Sequence, residues 1–263
     1  MKVVSRESQL NPSNPMKISF TRLFALLFIV CTPMVMLGKR SKEFSAVPVY
    51  KNAADYKAVD PSAKTANASA LYNELELGET GISFEAFTLA LKGFDKLTKK
   101  GLLNADSILT IVDFTKSSKQ KRLAVIDLKS NTVLYSSVVA HGRNTGAEYA
   151  RSFSNQPRSN KSSLGFYITQ ETYMGAHGLS LKLDGFEKGI NDKARERAIV
   201  MHGADYANER IISSKGYLGR SFGCPAVPPN LTKKIIQKIK NGNCLFVYYP
   251  DKKYLRSSEI LNG

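Results

Sequence analysis

Between residues 107 and 249 the chain is a succession of short β-branched runs cut by turn residues. No other feature limits the fold as strongly. The runs are 107–114 (SILTIVDF), 121–128 (KRLAVIDL), 132–141 (TVLYSSVVAH), 165–170 (GFYITQ), 179–183 (LSLKL), 198–202 (AIVMH) and 244–249 (CLFVYY). Their length and their Val/Ile/Tyr content predict strands, and Lys129-Ser130-Asn131 predicts a hairpin turn between two of them. One late segment, 231–241 (LTKKIIQKIKN), instead carries Ile235, Ile236 and Ile239 at helical spacing, with Asn230 as its expected cap. Many strands and few helices predict a mostly β, α+β domain over 105–250 in place of a βαβ sheet.

Ahead of this domain the periodicity is helical. Leu71, Tyr72 and Leu75 share a face. Ser83 is placed to cap a second helix in which Phe84, Phe87, Leu91, Phe94 and Leu97 recur, and Gly101 is placed to end it. This section, 69–104, is expected to pack on the β domain. Residues 41–68, rich in Ala, Ser, Lys and Pro, read as a linker, and 251–263 as a C-terminal tail.

From Met16 the chain reads MKISFTRLFALLFIVCTPMVMLGKRS. Lys17 and Arg22 precede an apolar run from Leu23 to Leu37, and Lys39-Arg40 follow it, which is the layout of a secretory signal. The run is shorter than the ~20 residues of a comfortable membrane span. Residues 1–40 therefore predict either a cleaved signal or an inner-membrane anchor, with the rest of the chain exported to the periplasm or cell envelope. Met16 is an alternative start, and Cys31 reads as filler in the apolar run. The formal charge of +16 favours acidic partners. The basic residues are scattered among apolar ones, without an aromatic-interleaved stripe or zinc-finger spacing, so no nucleic-acid partner is expected.

Two cysteines remain after export, Cys224 and Cys244. A disulfide between them is one reading. Cys244 opens an apolar strand, where cysteine packs as a small hydrophobe. Cys224 stands in GRSFGCPAVP (219–228), between Gly223, which permits close approach, and Pro225, which lacks an N–H. That corner predicts an exposed thiol, and a nucleophilic thiol also needs an activating base. The three histidines, His141, His177 and His202, are each followed by glycine. Three imidazoles on one zinc ion is one possibility. A single histidine serving as base for Cys224 is the other. The spacing lacks H-x-H or H-E-x-x-H, and the cysteine loop has no role in a metal site, so the second reading is preferred. His202 closes a strand, and Cys224 follows after a glycine-bearing loop that can fold back.

The stretch MHGADYANERIISSKGYLGRSFGCPAVP (201–228) resembles the L,D-transpeptidase catalytic domain family of bacterial cell walls. The family's signature is His-Gly or His-Ser, a loop, then [S/T]-H-G-C. Here His202-Gly203, Ser221, Gly223 and Cys224 match. SLGFY (163–167) is similar to the family's T-P-x-G-x-F strand, and 107–249 as a whole resembles its murein L,D-transpeptidase branch. The resemblance implies a β-sandwich catalytic domain that transfers acyl groups of peptidoglycan stem peptides and needs no cofactor or metal. Cys224 would be the nucleophile and His202 the base, oriented by the Gly203 carbonyl. The N–H groups of Gly223 and Cys224 would form the oxyanion hole. Arg220, Ser221, His141 and His177 are candidate substrate contacts. Two departures stand out. Phe222 occupies the place of the motif's histidine, and Pro225-Ala226 replaces an apolar residue followed by Arg or Asn. A zinc-dependent wall peptidase using the three histidines and a non-catalytic wall-binding domain remain as alternatives.

Overall fold

In the computed structural model, residues 61–263 are described; the expected signal or anchor and the linker up to residue 60 lie outside them. Helix α1 spans Pro61–Glu74, so the last part of the expected linker, 61–68, is helical. Its alanines favour helix, and proline is tolerated in a first turn. Helix α2 spans Phe84–Lys99 and starts as its sequence predicts, with the Ser83 side chain accepting from the Ala86 N–H. Gly101 follows it in the left-handed region (φ 68°). The N–H groups of Gly101 and Leu102 close onto Thr98 and Leu97, a Schellman stop. Phe87, Ala90 and Leu97 are buried beneath α2. Gly93 lets the helix lie directly on the sheet, because a Cβ there would sit 2.0 Å from the Phe166 ring.

The strands are β1 (Ile108–Asp113), β2 (Leu123–Asp127), β3 (Thr132–Ser137), β4 (Gly165–Gly175), β5 (Gly178–Gly185), β6 (Val200–Gly203), β7 (Ala226–Val227) and β8 (Cys244–Tyr248). All eight form one sheet in the order β3-β2-β1-β8-β4-β5-β6-β7. The β2–β3 pair is the hairpin expected across Lys129-Ser130-Asn131, and β1 and β2 also pair in antiparallel fashion. Two parallel pairs, β1 with β8 and β6 with β7, join segments distant in sequence. Beyond β3 the chain turns back to β7, where Ala140 pairs with Ala226 and Gly142 with Ser221. The edge strands β3 and β7 thus meet, and the mostly β fold with few helices that was expected takes the form of one sheet curled until nearly closed. Its one large apolar core draws on Ile111, Val125, Phe166, Leu181, Met201 and Phe246.

Helix α3 (Glu209–Lys215) lies in the loop between β6 and β7. Helix α4 (Pro229–Ile239) buries Ile235, Ile236 and Ile239 as their spacing predicts. Its cap is Pro228 and not Asn230, because two prolines already supply the fixed φ and the missing N–H of a helix start. Residues 251–263 are not a loose tail. They form α5 (Lys252–Ser257) and α6 (Glu259–Asn262), which bury Tyr254, Ile260 and Leu261. The buried carboxylate of Glu187 accepts from the Phe166 N–H (2.8 Å) and the Tyr254 hydroxyl (3.3 Å), and also pairs with the Ser258 hydroxyl. Among the described residues no helix is long and apolar enough to cross a membrane.

Truncation after Asp251 removes three buried side chains and strips Glu187 of two donors. At about 1.5–3 kcal/mol for each large apolar side chain, the loss from Tyr254, Ile260 and Leu261 is of order 5–9 kcal/mol, read as a lower Tm and denaturant midpoint. An unchanged midpoint would show that these helices contribute no core.

Candidate active site

The cysteine loop is a bulge held between two backbone stitches. On one side Ala140 N–H donates to Ala226 O (2.8 Å). On the other, Ser221 N–H donates to His141 O (2.9 Å) and Arg143 N–H to Ser221 O (2.8 Å). Residues 222–225 arch between these points. The Ser221 hydroxyl accepts from the Gly223 N–H (3.0 Å) and donates to the Cys224 carbonyl (2.7 Å). The Ser162 hydroxyl accepts from the Gly142 N–H (3.1 Å) and donates to the Gly223 carbonyl (3.0 Å). Gly223 adopts φ +132°, and a Cβ there would come within 2.9 Å of the Lys161 carbonyl, so glycine is required.

Opposite the loop runs β6. It pairs in parallel with β7, His202 facing Ala226 and Gly203 facing Val227. Cys224 precedes Ala226 by two residues and so stands along the edge of β6 that leads to His202. Its thiol donates to the Ala198 carbonyl at 3.7 Å. Both Cys224 and Cys244 are free, so the disulfide reading does not hold. Cys244 is buried in the sheet, as a packing residue should be.

His202 has a defined tautomer. Its Nδ1 lies 2.9 Å from the Gly203 carbonyl, which can only accept. Nδ1 therefore carries the proton, and Nε2 keeps a lone pair. Burial, with His177 adding to it, holds the imidazole below its usual pKa and hence neutral at pH 7. His177, at the turn of the β4–β5 hairpin, stacks on His202 with ring centroids 4.5 Å apart.

Three expectations need correction. The glycine corner was expected to expose the thiol, but Cys224 is half-buried, and burial pushes its pKa up. The stitches draw the loop onto β6, which costs exposure. The Gly223 N–H, expected in the oxyanion hole, is occupied by Ser221, so Ser221 is a brace of the loop. His141 was expected to touch substrate, but only 1% of it is exposed. Its Nδ1 accepts from the Arg122 guanidinium (2.8 Å), and its Nε2 donates to the Gly146 carbonyl (3.2 Å). Burial and Arg122 push its pKa down to about 3. With both ring nitrogens engaged, His141 cannot join His177 and His202 on a metal ion, and the three-histidine zinc site has no geometric basis. Among the described residues no three His, Cys, Asp or Glu side chains are grouped to hold a metal.

Arg197 was not singled out in the sequence. It lies in the turn before β6, half-buried, and its guanidinium donates only to neutral oxygens: Ser154 O (2.8 Å), Ser163 Oγ (2.5 Å), Ser159 Oγ (3.3 Å) and Lys161 O (2.6 Å). The Gly223 corner packs against it, and its charge pulls the Cys224 pKa down against burial. A half-buried cation without a carboxylate partner beside a thiol is the signal that could have found it, but that signal exists only in three dimensions. Tyr206 also lies near the thiol, and burial, with the charge of Cys224 adding to it, raises the phenol pKa to about 12. Arg220 is exposed, with its guanidinium 3.4 Å from the Gly146 carbonyl. A cavity of about 290 Å³ is lined by Ala198 together with Tyr173, Lys182, Arg195 and Val200.

With this geometry in view, a family model described as the L,D-transpeptidase catalytic domain matches residues 78–248. The chain belongs to the L,D-transpeptidase catalytic domain family. No curated protein sequence matches it. Among solved structures, an L,D-transpeptidase from Mycobacterium smegmatis shares 12% identity over 54% of this chain and 59% of that one, with a TM-score of 0.34. LdtMt1 in complex with imipenem gives the same identity, coverage and score. The helical cell shape determining protein Pgp2 of Campylobacter jejuni shares 12% identity over 62% of this chain and 56% of that one, with a TM-score of 0.38. This chain thus spans less than two thirds of these structures.

Two outcomes follow. A histidine held at a pKa of about 3 leaves the unfolded chain to bind its proton first as pH falls. His141 therefore stops contributing below its ordinary pKa of 6.5, and stability drops by about 1.4 kcal/mol per pH unit towards pH 3. In His141→Gln, which can still accept from Arg122, that portion of the slope in denaturant melts between pH 7 and pH 4 disappears. Replacing Arg197 by Gln raises the pH midpoint of Cys224 alkylation by roughly one unit, whereas Arg197→Lys retains most of the effect. Identical alkylation profiles for all three proteins would remove Arg197 from the site.

Proposed function

We propose that the protein is an exported cysteine acyltransferase acting on peptidoglycan stem peptides. One observation carries the reading. His202 donates from Nδ1 to the Gly203 carbonyl, which leaves a basic Nε2 on the strand that pairs with the cysteine loop. Family membership supplies the substrate class.

In this reading Nε2 takes the Cys224 proton, and the thiolate attacks the carbonyl carbon that joins the third stem residue to D-Ala. The electron pair moves to the carbonyl oxygen. As it returns, the C–N bond breaks, and the imidazolium gives its proton to the departing D-Ala amine. A thioester remains on Cys224. An acceptor amine on a neighbouring stem then attacks, again with His202 as base, and the thiol is regenerated. With water as acceptor the product is a carboxylic acid, and the reaction is an L,D-carboxypeptidase. The Cys224 N–H is the first oxyanion donor. The Gly223 N–H joins it once the substrate oxyanion displaces the Ser221 hydroxyl oxygen as its acceptor. Such a donor contributes roughly 10²–10³ in rate. Arg197 supplies a fixed positive charge beside the thiolate. His177 holds the base in plane by stacking. The cavity lined by Ala198 receives the donor stem, with Tyr173 as a wall. Export follows from the apolar segment at the N-terminus and from the location of the substrate.

The test is acylation by a carbapenem, since β-lactam opening needs an activated thiol and a working oxyanion site together. Intact-mass and peptide analysis should place one adduct on Cys224. His202→Ala should slow its formation by roughly 10²–10⁴, and Cys224→Ser should abolish it together with D-Ala release from a tetrapeptide stem. Stem turnover that survives Cys224→Ser and responds to chelators would establish a metal peptidase instead. Wall binding without turnover in either protein would leave a non-catalytic domain.

A further inference from the structure

The loops 141–151 and 217–222 frame the cysteine bulge and share one outer face. They are joined by the Gly142–Ser221 bridge and by the Arg143 N–H to Ser221 O bond. The Arg220 guanidinium reaches across to the Gly146 carbonyl, and the Arg151 N–H folds back to Thr145 O at 2.9 Å. Three exposed arginines stand on this face, each lying on a ring. Arg143 is 4.7 Å from the centre of Phe222. Arg151 is 5.9 Å from Tyr149, and Arg220 is 5.7 Å from Tyr217. Phe222 is 67% exposed, which is unusual for phenylalanine in a loop whose neighbours Ser221 and Gly223 are buried.

These cations lack counter-ions. The ion pairs elsewhere join Lys99 to Asp95, Lys119 to Glu148, Lys182 and Arg195 to Glu171 and Asp184, and Lys238 to Asp127. Within the two loops the one glutamate, Glu148, is taken by Lys119 and the Ser117 hydroxyl. Among the described residues, then, Arg143, Arg151 and Arg220 have no carboxylate within ion-pair range. A guanidinium laid on a ring loses rotational freedom but keeps its edge N–H groups free, and that edge matches a carboxylate in two parallel bonds.

We infer that this face, with Phe222–Arg143 at its centre, docks the carboxylate-bearing stems of the peptidoglycan strand next to the one being cut. The Phe222 departure then has a purpose: the ring that replaces the motif's histidine seats Arg143 at the rim of the site. The identity of the polymer rests on the function proposed above, whereas the docking surface rests on the arginine–aromatic pairs.

The two are separated by measuring binding without turnover. Full-length protein carrying Cys224→Ala is co-sedimented with insoluble peptidoglycan sacculi, native or with their carboxyl groups amidated, at low and high salt. The proposal expects binding to native sacculi that weakens with salt. Arg143→Gln/Arg151→Gln/Arg220→Gln should weaken it about tenfold or more, with Tm unchanged. Amidation should weaken it to the same extent, with no further loss in the triple variant. Phe222→Leu, which unseats Arg143 alone, should fall between. Equal binding of triple variant and parent, or equal binding to native and amidated sacculi, overturns the proposal. Stronger retention by a phosphate-bearing wall polymer or by anionic lipid vesicles than by sacculi also overturns it, since the partner would then be of another class. If acyl transfer fails while this binding holds, the enzymatic reading falls and the docking surface stands. The converse result, turnover of soluble stems with no arginine-dependent binding, removes only the surface.

Discussion

The pairing of Ala226 on both of its edges is the constraint on which the site depends. One edge meets His202 in parallel and the other meets Ala140 in the opposite sense. A short strand with two partners has no freedom to slide, because a one-residue slip would turn its side chains to the other face. Pro225 lies just before it, where no ladder hydrogen bond is needed, and Pro228 and Pro229 just after it start α4. A chain pinned in this way can arch at Phe222-Gly223-Cys224 without losing its register. The same closure joins the edge strands β3 and β7 of the sheet, so the feature that completes the fold also sets the Cys224 loop along the strand that ends in His202.

Electrostatics at the site run against the usual preference for paired buried charge. Arg122 is fully buried; burial pushes its pKa down to about 9 against the charge of Asp113, and its hydrogen bonds go to carbonyls and to an imidazole kept neutral. Arg197 is held by serine hydroxyls and carbonyls. Arg143, Arg151 and Arg220 are held by rings. A fold seeking stability alone would match such charges with carboxylates or replace them by apolar groups. At Arg197 and the loop arginines, neutral partners instead fix the guanidinium in place without a carboxylate beside it. That arrangement suits the proposed reaction, in which the anions arrive and leave: a thiolate, an oxyanion and the carboxylates of a stem peptide. The raised pKa of Cys224 belongs to the same balance. Burial favours the neutral thiol at rest, and Arg197 limits how far that goes.

Much of the fold was legible in the sequence. β-Branched runs marked seven strands, Ser83 announced a helix start, and Ile235, Ile236 and Ile239 gave the buried face of α4. Local chemistry decides these features. The parallel joins of β1 to β8 and β6 to β7 were not legible, since they link segments far apart in sequence. Helix α3 was missed although its ends carry plain signals: Asn208 accepts from the Arg210 N–H, and Gly216 takes φ 81°. It buries none of its residues and so shows no apolar stripe. The closing helices were read as a tail because Tyr254, Ile260 and Leu261 are too few to display a period. At the site, the His202–Gly203 pair was readable because the acceptor is the next residue. The fate of His141 was not, since it depends on Arg122 from another strand. The three His-Gly corners look alike in sequence, yet one keeps a free Nε2 lone pair, one stacks on it and one is a neutral wedge in the core.

The bracing of the cysteine loop bears on how the site would switch from rest to reaction. At rest the Ser221 hydroxyl holds the Gly223 N–H, and the thiol points at the Ala198 carbonyl. Ala198 adopts φ 52°, uncommon for alanine, so this acceptor is held in a less favourable backbone conformation. Both contacts are weak enough to exchange: one is a neutral hydrogen bond to a rotatable hydroxyl, the other a long bond from sulfur. A substrate carbonyl placed over Gly223 offers that N–H a developing negative charge, a stronger acceptor than a hydroxyl. A thiolate, having no proton to donate, would be repelled by the Ala198 carbonyl and drawn towards Arg197. Deprotonation and substrate entry therefore favour the same rearrangement, and neither alone is sufficient. In the proposed reaction a thiol held in this way stays neutral at rest and becomes nucleophilic when an acyl donor is in place.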